Sequence, residues 1–248
     1  MDLVLDIGNF RLKGAFFEGN EVIVGFFTCP LVLEDLKSHI FGKPIEKILI
    51  SSVNPSFEAE VISLLPQAEK IELSGIKVIL DVDEPDQVGH DRIANVYGAL
   101  FRFPQNNCIV VDMGTAITFD YVGCDGRYIG GAICPGLDIS AQALNRYTKL
   151  LPLVPIDKPP SPIAKTTTTH IQAGLYWGLL GAIERITFEM RASSPTPSDV
   201  KVIATGGLLE KLSHTDFAQD LRDIVDLIDP ALTLIGLNEI MKEKKKNV

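Results

Sequence analysis

Apolar and polar positions along this chain fall into one pattern twice. The run Leu3-Val4-Leu5 leads into Asp6-Ile7-Gly8-Asn9, and Val110-Val111 leads into Asp112-Met113-Gly114-Thr115. Each run is short and continuously apolar, as in a strand buried on both faces, and each ends in Asp-x-Gly. A strand-like stretch, a Gly-containing turn and another strand-like stretch follow both times. These are 12–17, Glu18-Gly19-Asn20 and 22–27 after the first run, and 117–122, Asp125-Gly126 and 128–133 after the second. The repetition predicts a duplicated unit.

Elsewhere strands alternate with helices. Residues 47–53 read as a strand, and 57–65 have helical spacing after Pro55. The acidic stretch 81–86 is a solvated loop leading into Gly89-His90-Asp91-Arg92. Beyond it Ile93, Val96, Tyr97, Leu100 and Phe101 recur at helical intervals until Pro104. A helix is expected over about 138–149, a proline-rich loop over 154–162, and a long helix over 170–191. Gly174, Gly178 and Gly181 along that helix suggest close packing. A turn at 193–198 precedes a strand at 200–204 that runs into Thr205-Gly206-Gly207. The alternation predicts an α/β class with a mixed sheet in each of two domains, 1–105 and 106–248.

Composition narrows the function classes. A formal charge of −9 argues against a general nucleic-acid binder, and the run 242–246 reads as the frayed, solvated end of a last helix. Cys29, Cys108, Cys124 and Cys134 lack metal-type spacing and suggest buried free thiols in a reducing compartment. With no apolar run as long as a membrane span and no leader pattern, a soluble cytoplasmic protein without membrane or nucleic-acid partners is expected.

The chain has neither GxxxxGK[ST] nor GxGxxG. Its paired turns offer another way to hold a phosphate chain. Glycine lets backbone N–H groups approach phosphate oxygens, while the aspartate can hold a metal ion or order water. Two Asp-x-Gly hairpins followed by a late Gly-Gly resemble the actin, sugar kinase and Hsp70-like ATPase superfamily. That resemblance implies two ribonuclease-H-like domains, with mixed sheets flanked by helices, closing over ATP.

A narrower resemblance covers nearly the whole chain. In order, Asp6-Ile7-Gly8-Asn9, Gly89-His90-Asp91-Arg92-Ile93-Ala94-Asn95, Asp112 to Asp120, Gly130 to Gly136, Ala173-Gly174, Ala204-Thr205-Gly206-Gly207 and the segment 228–237 resemble type III pantothenate kinases. The resemblance implies ATP-dependent phosphorylation of pantothenate to 4'-phosphopantothenate, the first step towards coenzyme A. It implies Asp91 as general base, and Gly89, His90, Asp91, Arg92 and Thr167 around pantothenate. It places Asp6, Ile7, Gly8, Asn9, Phe10, Arg11, Leu12, Lys13 and Thr115 around ATP. Asp6 would serve Mg²⁺, and Asp112 a monovalent cation, potassium or ammonium. A homodimer is implied, with the long second-half helix at its interface.

Bland readings stand beside these. Asp91 also suits a helix cap, Arg92 a surface ion pair, His90 an exposed loop and Lys13 a strand edge. The run Thr166 to Thr169 also suits an N-cap region. The chain departs from the family at Phe10, where a threonine is usual, at His90, where a small residue is usual, and at Val82, where a tyrosine is frequent. A non-catalytic regulator on the same fold, or a kinase for another small hydroxyl-bearing substrate, are the alternatives these departures leave open.

Overall fold

The computed structural model describes residues 1–18, 21–22, 25–72, 75–196 and 199–246. Gly19-Asn20, part of the stretch expected at 22–27 and the end of the turn expected at 193–198 lie outside the described residues.

The chain divides into two compact units, one made of residues 1–104 together with the chain from Ala231, the other of 105–230. The first unit contains β1 (Asp2–Ile7), β2 (Arg11–Glu18), β3 (Glu21–Val22), β4 (Phe27–Pro30), α1 (Leu33–Ile40), β5 (Lys47–Ser52), α2 (Pro55–Leu64), β6 (Glu69–Lys70), β7 (Ile79–Leu80) and α3 (His90–Arg102). Its main sheet has the order β3-β2-β1-β5-β6, with β4 also paired to β2. β1 is antiparallel to β2 and parallel to β5. Leu3, Leu5 and Ile7 alternate along β1 and pack with Leu12, Phe16, Ile48, Ile50, Phe57 and Val61. Val4, on the opposite face, is also fully buried, which is why the run carries no polar alternation.

The second unit contains β8 (Asn107–Met113), β9 (Ala116–Val122), β10 (Arg127–Pro135), α4 (Leu137–Tyr147), α5 (Thr167–Ala192), β11 (Val200–Thr205), α6 (Leu208–Lys211), α7 (Phe217–Arg222) and β12 (Leu227–Ile228). Within the unit its strands run β12-β11-β8-β9-β10. Here β8 takes the place of β1, antiparallel to β9 and parallel to β11. The two units therefore share one strand order around one central strand, as the repeat predicts. α5 starts earlier than expected because Thr166 caps it: Thr166 Oγ1 accepts from Thr169 N, and Thr169 Oγ1 accepts from Thr166 N.

The last helix, α8 (Leu232–Lys246), groups with the first unit and packs along α3. The helices approach backbone to backbone: a Cβ on Gly236 would lie 1.7 Å from the Ala94 carbonyl oxygen. Side-chain hydrogen bonds also join them. Thr233 Oγ1 donates to Asn95 Oδ1 at 2.7 Å, and the Tyr97 hydroxyl donates to Glu243 Oε2 at 2.7 Å. Glu243 is buried and Lys242 pairs with Glu239, so the start of the charged C-terminal run is packed, not frayed.

The cysteines are free, with Cys29 and Cys108 buried. Cys124 is exposed, contrary to expectation, because β9 ends at Val122 and leaves it in the turn. No described helix is long and apolar enough to cross a membrane.

Candidate active site

The first turn is set by register. Asp6, the penultimate residue of β1, lies opposite Lys13 on β2 and Ser51 on β5, and Ile7 lies opposite Leu12. Gly8 N donates to the Arg11 carbonyl at 2.9 Å, closing the turn over Asn9 and Phe10. Ile7 and Leu12 have no exposed surface, so neither side chain is available to a ligand. Asn9, Phe10 and Arg11 are exposed, Phe10 to 75%.

The second turn repeats this with one residue fewer. Asp112 is penultimate on β8, opposite Thr118 on β9 and Thr205 on β11. Gly114 N donates to the Ala116 carbonyl at 3.0 Å. Thr115 is exposed, and its carbonyl accepts from Gly136 N at 3.0 Å, which holds the Pro135-Gly136 segment against the turn. Gly206 leaves β11 at φ +109°, where a side chain would also meet Met113 N at 2.4 Å. Of the late glycine pair, Gly206 is thus required by its closeness to β8, whereas a Cβ on Gly207 would meet nothing within 4 Å.

Two groups here were not singled out for a role from the sequence. Asp120 is fully buried and accepts from Thr118 Oγ1 at 3.0 Å and from the Tyr128 hydroxyl at 2.9 Å. Thr205 is also fully buried, and its Oγ1 has no hydrogen-bond partner among the described residues. Polar residues within otherwise apolar strands were the available signal.

The Asp91 segment opens α3. Gly89 occupies the N-cap position, so Asp91 is the second helical residue and does not cap. Its half-buried carboxylate accepts from Arg92 N at 2.9 Å, the one hydrogen bond it makes among the described residues. The free N–H groups and dipole of a helix N-terminus favour a negative charge there. Gly89 leaves the space this carboxylate occupies, since a Cβ would sit 2.4 Å from Asp91 Oδ1. His90 and Arg92 are half-buried on either side. Deeper in the helix, burial and the Glu243 carboxylate push the Tyr97 hydroxyl far above its ordinary pKa, keeping it a neutral donor.

Thr167 is the first residue of α5. It is exposed at the start of α5 and lines an open groove of about 870 Å³ with Ile139, Tyr147, Leu151 and His170 between α4 and α5. Gly174, Gly178 and Gly181 do not pack closely as expected: a Cβ on any of them would meet nothing within 4 Å.

Among the described residues no three His, Cys, Asp or Glu side chains cluster as a metal site. Asp6 alone fits Mg²⁺, which commonly binds one or two carboxylates together with substrate phosphates. Asp112 with two neighbouring hydroxyls fits a monovalent cation by its all-oxygen donor set.

A family model described as type III pantothenate kinase matches residues 2–189. A type III pantothenate kinase of Syntrophotalea carbinolica is 35% identical, covering 99% of this chain and 100% of the relative. One from Citrifermentans bemidjiense is 38% identical over the same shares. Among solved structures, a Campylobacter jejuni protein described as a Baf family transcriptional activator matches with a TM-score of 0.63 at 22% identity, covering 98% of this chain and 99% of that one. A polyphosphate/ATP-glucomannokinase of an Arthrobacter strain matches with a TM-score of 0.51 at 13% identity, over 99% and 98%. These structural likenesses establish the fold.

Proposed function

The chain belongs to the type III pantothenate kinase family, and from that premise we propose how its residues carry out the reaction. The enzyme transfers the γ-phosphoryl group of ATP to the primary hydroxyl of pantothenate, giving 4'-phosphopantothenate and ADP. The pantothenate oxygen forms a bond to the γ-phosphorus as the bond to the ADP oxygen breaks, and the hydroxyl proton passes to Asp91. Phosphoryl transfer has a loose transition state, so a base positioned to take the proton late contributes alongside charge neutralisation.

The observation that carries this role is the placement of Asp91. Its carboxylate sits in the first turn of a helix, over a glycine that leaves it room, with a single backbone N–H on one oxygen among the described residues. Arg92 beside it offers a planar guanidinium for the pantothenate carboxylate or amide oxygens, with Gly89 and His90 completing that loop and Thr167 adding a hydroxyl. The turn from Asp6 to Lys13 takes the ATP phosphates through backbone N–H groups, with Lys13 and Thr115 as further contacts. Mg²⁺, when bound through Asp6, would neutralise phosphate charge. Asp112 takes potassium or ammonium. The same reading includes a cytoplasmic enzyme that acts as a homodimer through α5.

The test is ADP release by the purified chain with ATP, Mg²⁺ and potassium, with and without pantothenate. Turnover should require pantothenate, and Asp91→Asn should lower it about 10²–10⁴-fold while ATP affinity stays at the wild-type value. Wild-type turnover in the variant would remove Asp91 from the mechanism. Absence of pantothenate-dependent turnover in the folded wild type would sink the kinase reading.

A further inference from the structure

The two hairpins place their aspartates alike but surround them differently. Asp6 lies between Lys13 and Ser51; Asp112 lies between Thr118 and Thr205. Register partners on adjacent strands project to the same face of a sheet, so each aspartate is the centre of a three-residue row. The row of the first unit includes an ammonium group. The row of the second unit has two neutral hydroxyls in the flanking positions. It also has a second carboxyl group nearby, because Asp120 is fully buried two residues along β9 from Thr118 and on the same face.

The hydroxyls are prepared for a cation. Thr118 donates to Asp120 Oδ2 at 3.0 Å. The single hydroxyl hydrogen of Thr118 is committed to that oxygen, leaving its lone pairs for a cation beside Asp112. Thr205 Oγ1 is buried without a hydrogen-bond partner among the described residues, although buried polar groups are nearly always satisfied. A carboxylate and two hydroxyl oxygens, with no imidazole or thiolate, make a hard donor set.

We propose that Thr118 and Thr205 join Asp112 in holding one exchangeable monovalent cation, and that this ion takes the electrostatic place which Lys13 fills beside Asp6. The proposal rests on the Asp112 cation site above. It adds two ligands and explains why one half of the repeat needs an ion that the other carries covalently. Asp120 acts through Thr118 as a positioning residue.

The experiment follows the thermal midpoint of the full chain as potassium chloride replaces choline chloride at constant ionic strength, with thallium(I) NMR as a direct measure of occupancy. The wild-type midpoint should rise with potassium, and Asp112→Asn should abolish the rise. Thr205→Val should raise the half-saturating potassium about tenfold or more, the scale of disturbed metal-site shells, while Thr205→Ser keeps the wild-type value. Thr118→Lys should melt in choline at or above the wild type, ignore potassium and lose the bound-thallium signal. A wild type indifferent to potassium would overturn the Asp112 site and the proposal together. A response lost in Asp112→Asn but unchanged in Thr205→Val would overturn the threonine ligand and leave the Asp112 site standing. A Thr118→Lys protein that folds and still binds thallium would overturn the equivalence with Lys13.

Discussion

Gly89 shows how much the placement of one carboxylate depends on one missing side chain. The Asp91 carboxylate leans back over it, and a methyl group there would come within 2.4 Å of Oδ1. The Gly89 backbone, at φ −60° and ψ 144°, is open to any residue, so alanine would strain the carboxylate and not the chain. Gly89→Ala should therefore lower kcat about tenfold or more by turning Asp91 away, since misplacement by an ångström costs up to about 10²-fold. Its thermal midpoint should stay near the wild-type value; an unchanged kcat would show that Asp91 works from another position. Asp91, Arg92 and Asp112 were legible as residues because they stand in a dense motif. Thr205 had no legible role, because only strand register sets it opposite Asp112, on a strand far along the chain.

At the scale of elements, Asp226 ties β11 to the end of α5. It accepts from Val202 N at 2.8 Å, Lys201 Nζ at 3.0 Å and Arg191 Nη2 at 2.8 Å. Burial pushes its carboxyl pKa up, but the hydrogen bonds and neighbouring cations outweigh burial and hold it below the ordinary carboxylate value. A carboxyl depressed in the folded state stabilises it at neutral pH, and that contribution is lost as pH falls through the folded pKa. Asp226→Asn should thus cost about 1–2 kcal/mol near pH 7, and the difference should shrink below about pH 4. Urea midpoints of both proteins across that range provide the check, and a difference independent of pH would refute the linkage. The elements themselves were largely readable: both hairpins, α3 and the long helix followed from periodicity. The start of α5 was less so, because the threonine run suits a cap and a ligand equally until Thr166 and Thr169 are seen bonded to each other.

At the scale of the molecule, α5 leaves apolar and small residues uncovered in the single chain. Phe188 is 60% exposed, and among the described residues no atom beyond the adjoining stretch of α5 itself lies within 4 Å of a Cβ on Gly178. The proposed homodimer would cover this face. Gly178→Lys is a clean test, because lysine favours the helix over glycine and its Cβ would meet no neighbour among the described residues. Sedimentation should show a wild-type dimer and a folded, monomeric variant; a variant that remains dimeric would exclude α5 around Gly178 from the interface.

The paired Asp-x-Gly runs and the ordered motifs carry the fold class, the duplication and the family, because short-range period and turn chemistry are written locally. The placement of α8 was decided elsewhere. The sequence alone assigns everything after residue 105 to a second domain, whereas the chain from Ala231 packs with the first unit. Its determinants, Asn95 with Thr233, Tyr97 with Glu243 and the close approach at Gly236, join positions well over a hundred residues apart. The row Thr118, Asp112, Thr205 is of the same kind. Each of its residues is ordinary in its own strand, and only strand register, set by packing on both faces of the sheet, brings a carboxylate and two hydroxyls side by side.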